Sequence, residues 1–233
     1  MKNDAVTQRK TRGAGRGPST RPAARPGSRA EVKRQKILDT AMRHFAEHGY
    51  HAARVEDIAK ALGIAKGSIF QHFISKDGLF LETYKKAVRA LPKYLDAPPE
   101  VVKSGFFAIV RYWLEHTEHL IHEDWVRFRV AILGDYGTDL PLKREINRFL
   151  IAEDPYGTSA FVRKGIEWGE VRSDIEPEMI TSMVDWMTER FQDAIITEEL
   201  DPGLLRRHGS RPERMTERID HFIDMLRGAI GGH

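Results

Sequence analysis

Val55-Glu56-Asp57-Ile58-Ala59-Lys60-Ala61-Leu62-Gly63-Ile64-Ala65-Lys66-Gly67-Ser68-Ile69-Phe70-Gln71-His72-Phe73 is the stretch on which the fold turns. Ala59 follows Val55 by four residues, Gly63 follows by four more and Ile69 by a further six, with Ile58, Leu62 and Ile64 apolar between them. Each position has a packing reason. A small side chain at Ala59 lets two helices cross closely, Gly63 permits the positive φ of a tight turn, and Ile69 locks the second helix onto the first. The pattern predicts a helix-turn-helix whose second helix presents Lys66, Ser68, Gln71 and His72 outward, residue types that contact phosphates or base edges in a major groove. An ordinary helical hairpin can carry the same spacing, so the flanks matter.

Working outward, Ile37, Leu38, Ala41, Met42 and Phe45 recur at helical spacing from Ala30, with Gly49 as the stop, and Ser75 stands as N-cap of a longer helix to about Leu91. Helical patterns continue over Glu100 to about Ile121, Asp124 to Tyr136, Pro141 to Ile151, Thr158 to Trp168, Pro177 to Leu200 and Arg211 to Ile230, separated by Gly, Pro and Asp clusters. No alternating strand pattern and no internal repeat interrupts them. The expected fold is all-α, a three-helix helix-turn-helix domain at residues 30–78 followed by a larger helical domain at 79–233.

Residues 35–84, including Gln35-Lys36-Ile37-Leu38, Phe45-Ala46-Glu47-His48-Gly49-Tyr50 and the quoted stretch through to Ser75-Lys76, closely resemble the DNA-binding domain of the TetR/AcrR family of bacterial repressors. The turn Gly169-Glu170-Val171-Arg172-Ser173-Asp174 resembles one that precedes a late helix in that family. The resemblance implies that Arg54 opens helix two beside a phosphate. It further implies that Lys66, Gly67, Ser68, Phe70, Gln71 and His72 line the recognition helix, and that Lys76 grips the DNA backbone. Two residues depart from the family pattern. Ala53-Arg54 replaces a hydroxyl cap and adds a charge, and Phe70 stands where a Tyr is usual, which removes a phenol and leaves Arg54 the larger role.

The charge distribution agrees. Residues 1–80 hold 16 Lys and Arg against 7 Asp and Glu, a balance of +9, and residues 81–233 hold 21 against 27, a balance of −6. A basic N-terminal module suits a polyanion, and an acidic body avoids one. Residues 1–29, with four Gly, three Pro, eight basic residues and Asp4 as the sole acid, are too polar to offset their ordering entropy and read as a disordered basic tail. Its arginines either add counterion-releasing contacts or form a solubilising extension. With no Cys, thiolate metal sites and thiol catalysis are excluded. No apolar run approaches the roughly 18 to 20 residues of a membrane span, and no secretory signal is expected, so the chain is expected in the cytoplasm, at the nucleoid. Gly-rich phosphate loops, nucleophile elbows and His-Glu-x-x-His are missing, so neither an enzyme nor a cofactor is expected.

In the body, His116, His119 and His122 form a ladder opposite the apolar face of their helix, where a solvated polar face is expected rather than a metal site. Arg129 falls within the stripe of Trp125, Phe128, Ile132, Leu133 and Tyr136, so it either pairs with an internal carboxylate or meets an acidic small-molecule effector in a pocket with Trp113 and Phe128. The last two helices carry broad apolar stripes, and the resemblance implies a homodimer interface there, placed on Met187, Phe191, Ile219, Phe222 and Leu226. The alternative is that these stripes close the monomer's own core. The expected function is a ligand-responsive repressor acting as a homodimer on a pseudo-palindromic double-stranded operator. A constitutive architectural DNA binder or a protein-binding scaffold is the rival.

Overall fold

The computed structural model describes residues 27–94, 96–137, 139–196 and 212–232. These form eleven α-helices, a 3-10 turn at Pro92–Tyr94 and, among the described residues, no strand beyond the isolated bridge pair Val171 and Gly231. The chain is all-α, as its periodicity predicts. Of the basic tail, residues 1–26 lie outside the described residues.

The first four helices are α1 (Arg29–Ala52), α2 (Val55–Ala61), α3 (Lys66–Phe70) and α4 (Lys76–Ala90). Ser28 caps α1 by accepting the Glu31 N–H at 3.2 Å, and Ser75 caps α4 by accepting the Gly78 N–H at 3.0 Å. Gly49, at φ 72°, breaks α1 three residues before its end, the stop expected there. Gly63, at φ 64°, makes the turn between α2 and α3. Ile37, Phe45, Ile58, Ile69, Leu79, Phe80 and Tyr84 are all fully buried in one core. Burying each such side chain is worth roughly 1.5 to 3 kcal/mol.

That core does not end at residue 78. It runs into α7 (Trp125–Tyr136) and α8 (Lys143–Glu153) through Val130, Ala131, Ile146 and Phe149, so α4 is shared between the head and the helices behind it. The approach of α4 to α7 is close. Gly134 of α7 lies against the Tyr84 ring, where a Cβ would fall within 3.0 Å of two ring carbons.

The segment from Glu100 to Ile121, expected as one helix, is two: α5 (Pro99–Lys103) and α6 (Phe106–Glu123). Gly105 breaks them with φ 97°, and the Glu170 carboxylate, 64 residues away, accepts the Phe106 N–H at 3.1 Å through both oxygens. α6 is therefore capped from outside its own sequence. A second core joins α6 to α9 (Thr158–Glu167), α10 (Pro177–Ile196) and α11 (Pro212–Ile230) through Phe106, Val110, Val162, Val184, Phe222 and Leu226. The turn after α9 ties these helices together. Glu170 caps α6, the Arg172 N–H donates to Ile230 O at 2.9 Å, and the Gly232 N–H donates to Glu170 O at 2.8 Å.

Candidate functional site

The residues expected to line a recognition helix lie on one short helix, α3, and the turn that follows it. Ile69 and Phe73 point inward, while Lys66, Gly67, Phe70 and Gln71 are exposed and Ser68 and His72 are half-buried. α3 is short, so Gln71 is its C-cap and His72 lies just beyond it. Arg54 is the N-cap residue of α2 and makes no side-chain cap bond, which leaves its guanidinium turned outward.

Several of these groups are already engaged. Lys66 Nζ pairs with Glu56 Oε1 at 2.6 Å and lies 5.5 Å from the Phe70 ring centroid. Lys66, then Arg54, holds the Glu56 carboxyl below the usual range, so one carboxylate sits between two of the expected phosphate contacts. Lys76 Nζ donates to His51 O at 3.0 Å and sits over the Tyr50 ring at 4.7 Å, and the Tyr50 hydroxyl donates to Asp77 Oδ1 at 2.5 Å. Lys76 is thus aimed by an aromatic support. His72 is kept below its ordinary pKa by burial and then by Lys33 and Arg34. Lys33 and Arg34 on α1 are cations near the face that sequence reasoning did not single out.

Behind the head, α4, α6, α7, α9 and α10 surround a cavity of about 150 Å³. Its apolar wall comes from Leu91, Val110, Trp113, Leu114, Phe128, Ile132 and Val184, and its polar wall from Thr117, Asp135, Tyr136, Tyr156, Thr158, Asp185, Thr188, Glu189 and Gln192. Asp135 links the cavity to α4: its Oδ1 accepts the Tyr84 hydroxyl at 2.5 Å and its Oδ2 the Tyr156 hydroxyl at 3.1 Å. Burial, reinforced by the Asp135 charge, pushes both phenols far up, so they stay protonated and donate. Burial also raises the Asp185 carboxyl, against the hydrogen bond from Thr158.

The expected effector residues divide. Trp113 and Phe128 line the cavity, but Arg129 is half-buried elsewhere on α7 and is not among the described residues that line it. The helix turns Phe128, Ile132, Asp135 and Tyr136 toward the cavity, and Arg129 is rotated off that face. The polar residues that do line it were legible only as a spacing on α10, where Asp185, Thr188, Glu189 and Gln192 recur at i, i+3, i+4 and i+7.

The interface expectation needs a larger correction. Ile219, Phe222 and Leu226 are 3%, 4% and 0% exposed within the chain's own second core, and Phe222 stacks on Phe191 at 4.4 Å. Side chains already closed off in this way are not available to a second chain. Met187 and Phe191 are partly buried against the same core. Trp186 and Met225, about two-thirds exposed, and Met179, about half exposed, are large apolar groups that these two helices turn outward. Of the histidine ladder, the His119 and His122 side chains lie outside the described residues. His116 stacks on Tyr112 at 4.0 Å and its Nδ1 lies 2.7 Å from Tyr112 O, and no candidate metal-ligand group occurs among the described residues.

Comparison with known proteins supports the assignment of the head. Residues 37–83 match the family described as bacterial regulatory proteins, tetR family. The transcriptional repressor AcnR of Corynebacterium glutamicum is 28% identical over 180 residues, 76% of this chain and 89% of the relative. A transcriptional repressor of Mycobacterium tuberculosis, Rv1474c, is 26% identical over 198 residues, 84% of this chain and 94% of that one. In fold, a tetR family transcription regulator from Shewanella superposes with a TM-score of 0.60 at 17% identity, covering 86% of this chain and 99% of its own. The regulator FadR of Bacillus subtilis, solved in complex with stearoyl-CoA, superposes at 0.56 and 19% identity over 82% of this chain and 96% of that one. These relatives are regulators and not enzymes. The head of this chain, residues 37–83, is a tetR-family helix-turn-helix domain, and over most of its length the chain is similar to transcriptional regulators of that family.

Proposed function

We propose that this chain is a ligand-responsive transcriptional repressor that acts as a homodimer on a pseudo-palindromic operator, in the cytoplasm at the nucleoid. Residues 30–78 read the DNA, residues 79–233 hold the effector and the dimer contact, and the basic tail at 1–29 adds attraction to phosphate without choosing sequence. The observation that supports this is that one helix reaches both places: α4 starts at Lys76 beside the expected recognition helix and holds Tyr84 against cavity residue Asp135. An effector that fits only one position of α4 shifts the population of head spacings and thereby operator affinity. The relatives' activity as repressors supports the sign of regulation. Arg54, Lys66 and Lys76 serve as phosphate contacts, Gly67 lets the backbone approach, and Ser68, Phe70, Gln71 and His72 face the bases. Trp113 and Phe128 hold the effector's apolar part. The dimer forms through the outer faces of α10 and α11, including Trp186 and Met225, with Met187 and Phe191 at its edge.

The test is binding-site selection with wild type, Gln71→Ala and Lys76→Ala. Gln71→Ala should change the preferred bases by about 1 to 3 kcal/mol for each lost pairing. Lys76→Ala should weaken all duplexes alike and reduce the salt slope by about one unit per subunit. An unchanged selection profile for Gln71→Ala would reject the recognition-helix assignment.

A further inference from the structure

We propose that the cavity takes a small cationic ligand with an aromatic or branched apolar body, an organic ammonium, and disfavours anions. This rests on the cavity being the effector site. Three carboxylates, Asp135, Asp185 and Glu189, lie in its polar wall, and no Lys, Arg or His is found among the described lining residues. The other polar groups are hydroxyls and an amide, and among them the phenols of Tyr136 and Tyr156 are spoken for. Tyr136 donates to Glu189 Oε2 at 3.3 Å and Tyr156 to Asp135 Oδ2 at 3.1 Å. An anion entering here would meet like charge without a countercharge in the wall. A cation would meet both carboxylates and the rings of Trp113 and Phe128 among the lining groups, the two environments that replace an ammonium's hydration.

Asp185 is the group the cation would gain most from. It sits in α10 at the cavity wall with the Thr158 hydroxyl as its hydrogen-bond partner, and burial works against its charge. A carboxylate held in that way lowers stability unless a partner arrives, which is a reason for it to mark a binding site. The size agrees with a compact ligand, since an apolar cavity of roughly 150 Å³ holds a benzene ring.

The experiment titrates the full chain, following its tryptophan emission, to which the cavity's Trp113 contributes with Trp125, Trp168 and Trp186, with benzyltrimethylammonium, its neutral carbon isostere neopentylbenzene, phenylacetate and stearoyl-CoA. The cation should bind at least about tenfold tighter than the isostere and the carboxylate, and in Asp185→Asn that preference should shrink to about threefold or less. Circular dichroism of Asp185→Asn confirms that the helices are retained. Equal or tighter binding of an anion or the neutral isostere, a preference unaltered by Asp185→Asn, or no saturable binding of the cation would each overturn the proposal. Operator release is measured separately on the duplex recovered by selection. A cation that binds without changing operator affinity leaves the ligand class standing and removes the ligand-responsive function. Release by stearoyl-CoA alone does the reverse.

Discussion

Gly134→Ala and Gly228→Ala make the same chemical change in two helices and should move stability in opposite directions. Replacing a helical Gly by Ala is worth up to about 1 kcal/mol through propensity alone. At Gly228 in α11 nothing lies within 4 Å of the added methyl, so the gain stands. At Gly134 in α7 the methyl would fall within 3.0 Å of Tyr84 Cδ2 and Cε2, where carbon atoms settle at about 3.5 to 4.0 Å. Tyr84 has little room to retreat, because it is 0% exposed and its hydroxyl is tied to Asp135 at 2.5 Å. Overpacking of this kind costs about 1 to 3 kcal/mol and outweighs propensity, for a net loss of up to about 2 kcal/mol. For a chain of this size each kcal/mol is about 2 to 4 °C of melting temperature, so calorimetry should show Gly228→Ala a few degrees up and Gly134→Ala several degrees down. A Gly134→Ala variant melting at or above wild type would refute the close seating of α4 on α7 and, with it, the coupling of head to cavity.

Tyr84→Phe removes a hydroxyl bonded to a carboxylate and should cost about 1.5 to 3 kcal/mol in denaturant unfolding, while blunting any effector-induced loss of operator affinity. Because burial raises the Asp185 carboxyl above its ordinary 3.8, the stability its protonation brings is full below that value and lost as pH rises through the folded-state value. Asp185→Asn should accordingly melt higher than the parent at neutral pH, with the gap closing as pH approaches about 4; a gap that widens on acidification would be the wrong sign. Glu56→Gln releases Lys66 and removes a negative charge beside Arg54, so gel-shift titration should show tighter binding to every duplex and a steeper salt dependence; unchanged affinity would take Glu56 off the DNA face. Trp186→Glu, about two-thirds exposed, should leave the helices folded but abolish the dimer in sedimentation, whereas Phe222→Glu, interior to the chain, should unfold the second core. An intact dimer in the first case would move the interface elsewhere.

The head was legible because its determinants are local. Ala59, Gly63 and Ile69 specify a turn and a crossing within fifteen residues, and the apolar spacing of α1 and α4 shows which side is inward. The break at Gly105 was not, because what stabilises the new helix start is a carboxylate at Glu170 that no window around residue 105 contains. The stripe on α11 correctly marks an apolar face, yet a stripe does not say whose side chains meet it, and here they are Phe106, Val110 and Phe191 of the same chain. Arg129 drew attention as a charge among apolar residues, while Asp135 and Asp185 drew none. Only the packing of α9 and α10 on each other and on α6, which also meets α7, turns those residues into a cavity wall.

The turn at residues 169–172 makes the second core a single cooperative unit. Because Glu170 holds the first amide of α6 while Arg172 and Gly232 lock the end of α11, fraying at the close of the chain is felt about 125 residues earlier at Phe106. The amide protons of Phe106, Arg172 and Gly232 should then exchange with solvent at a common rate. Local opening there should loosen one wall of the core that carries Val110, Leu114 and Val184, which would set a timescale for cavity access from a turn outside the cavity's lining.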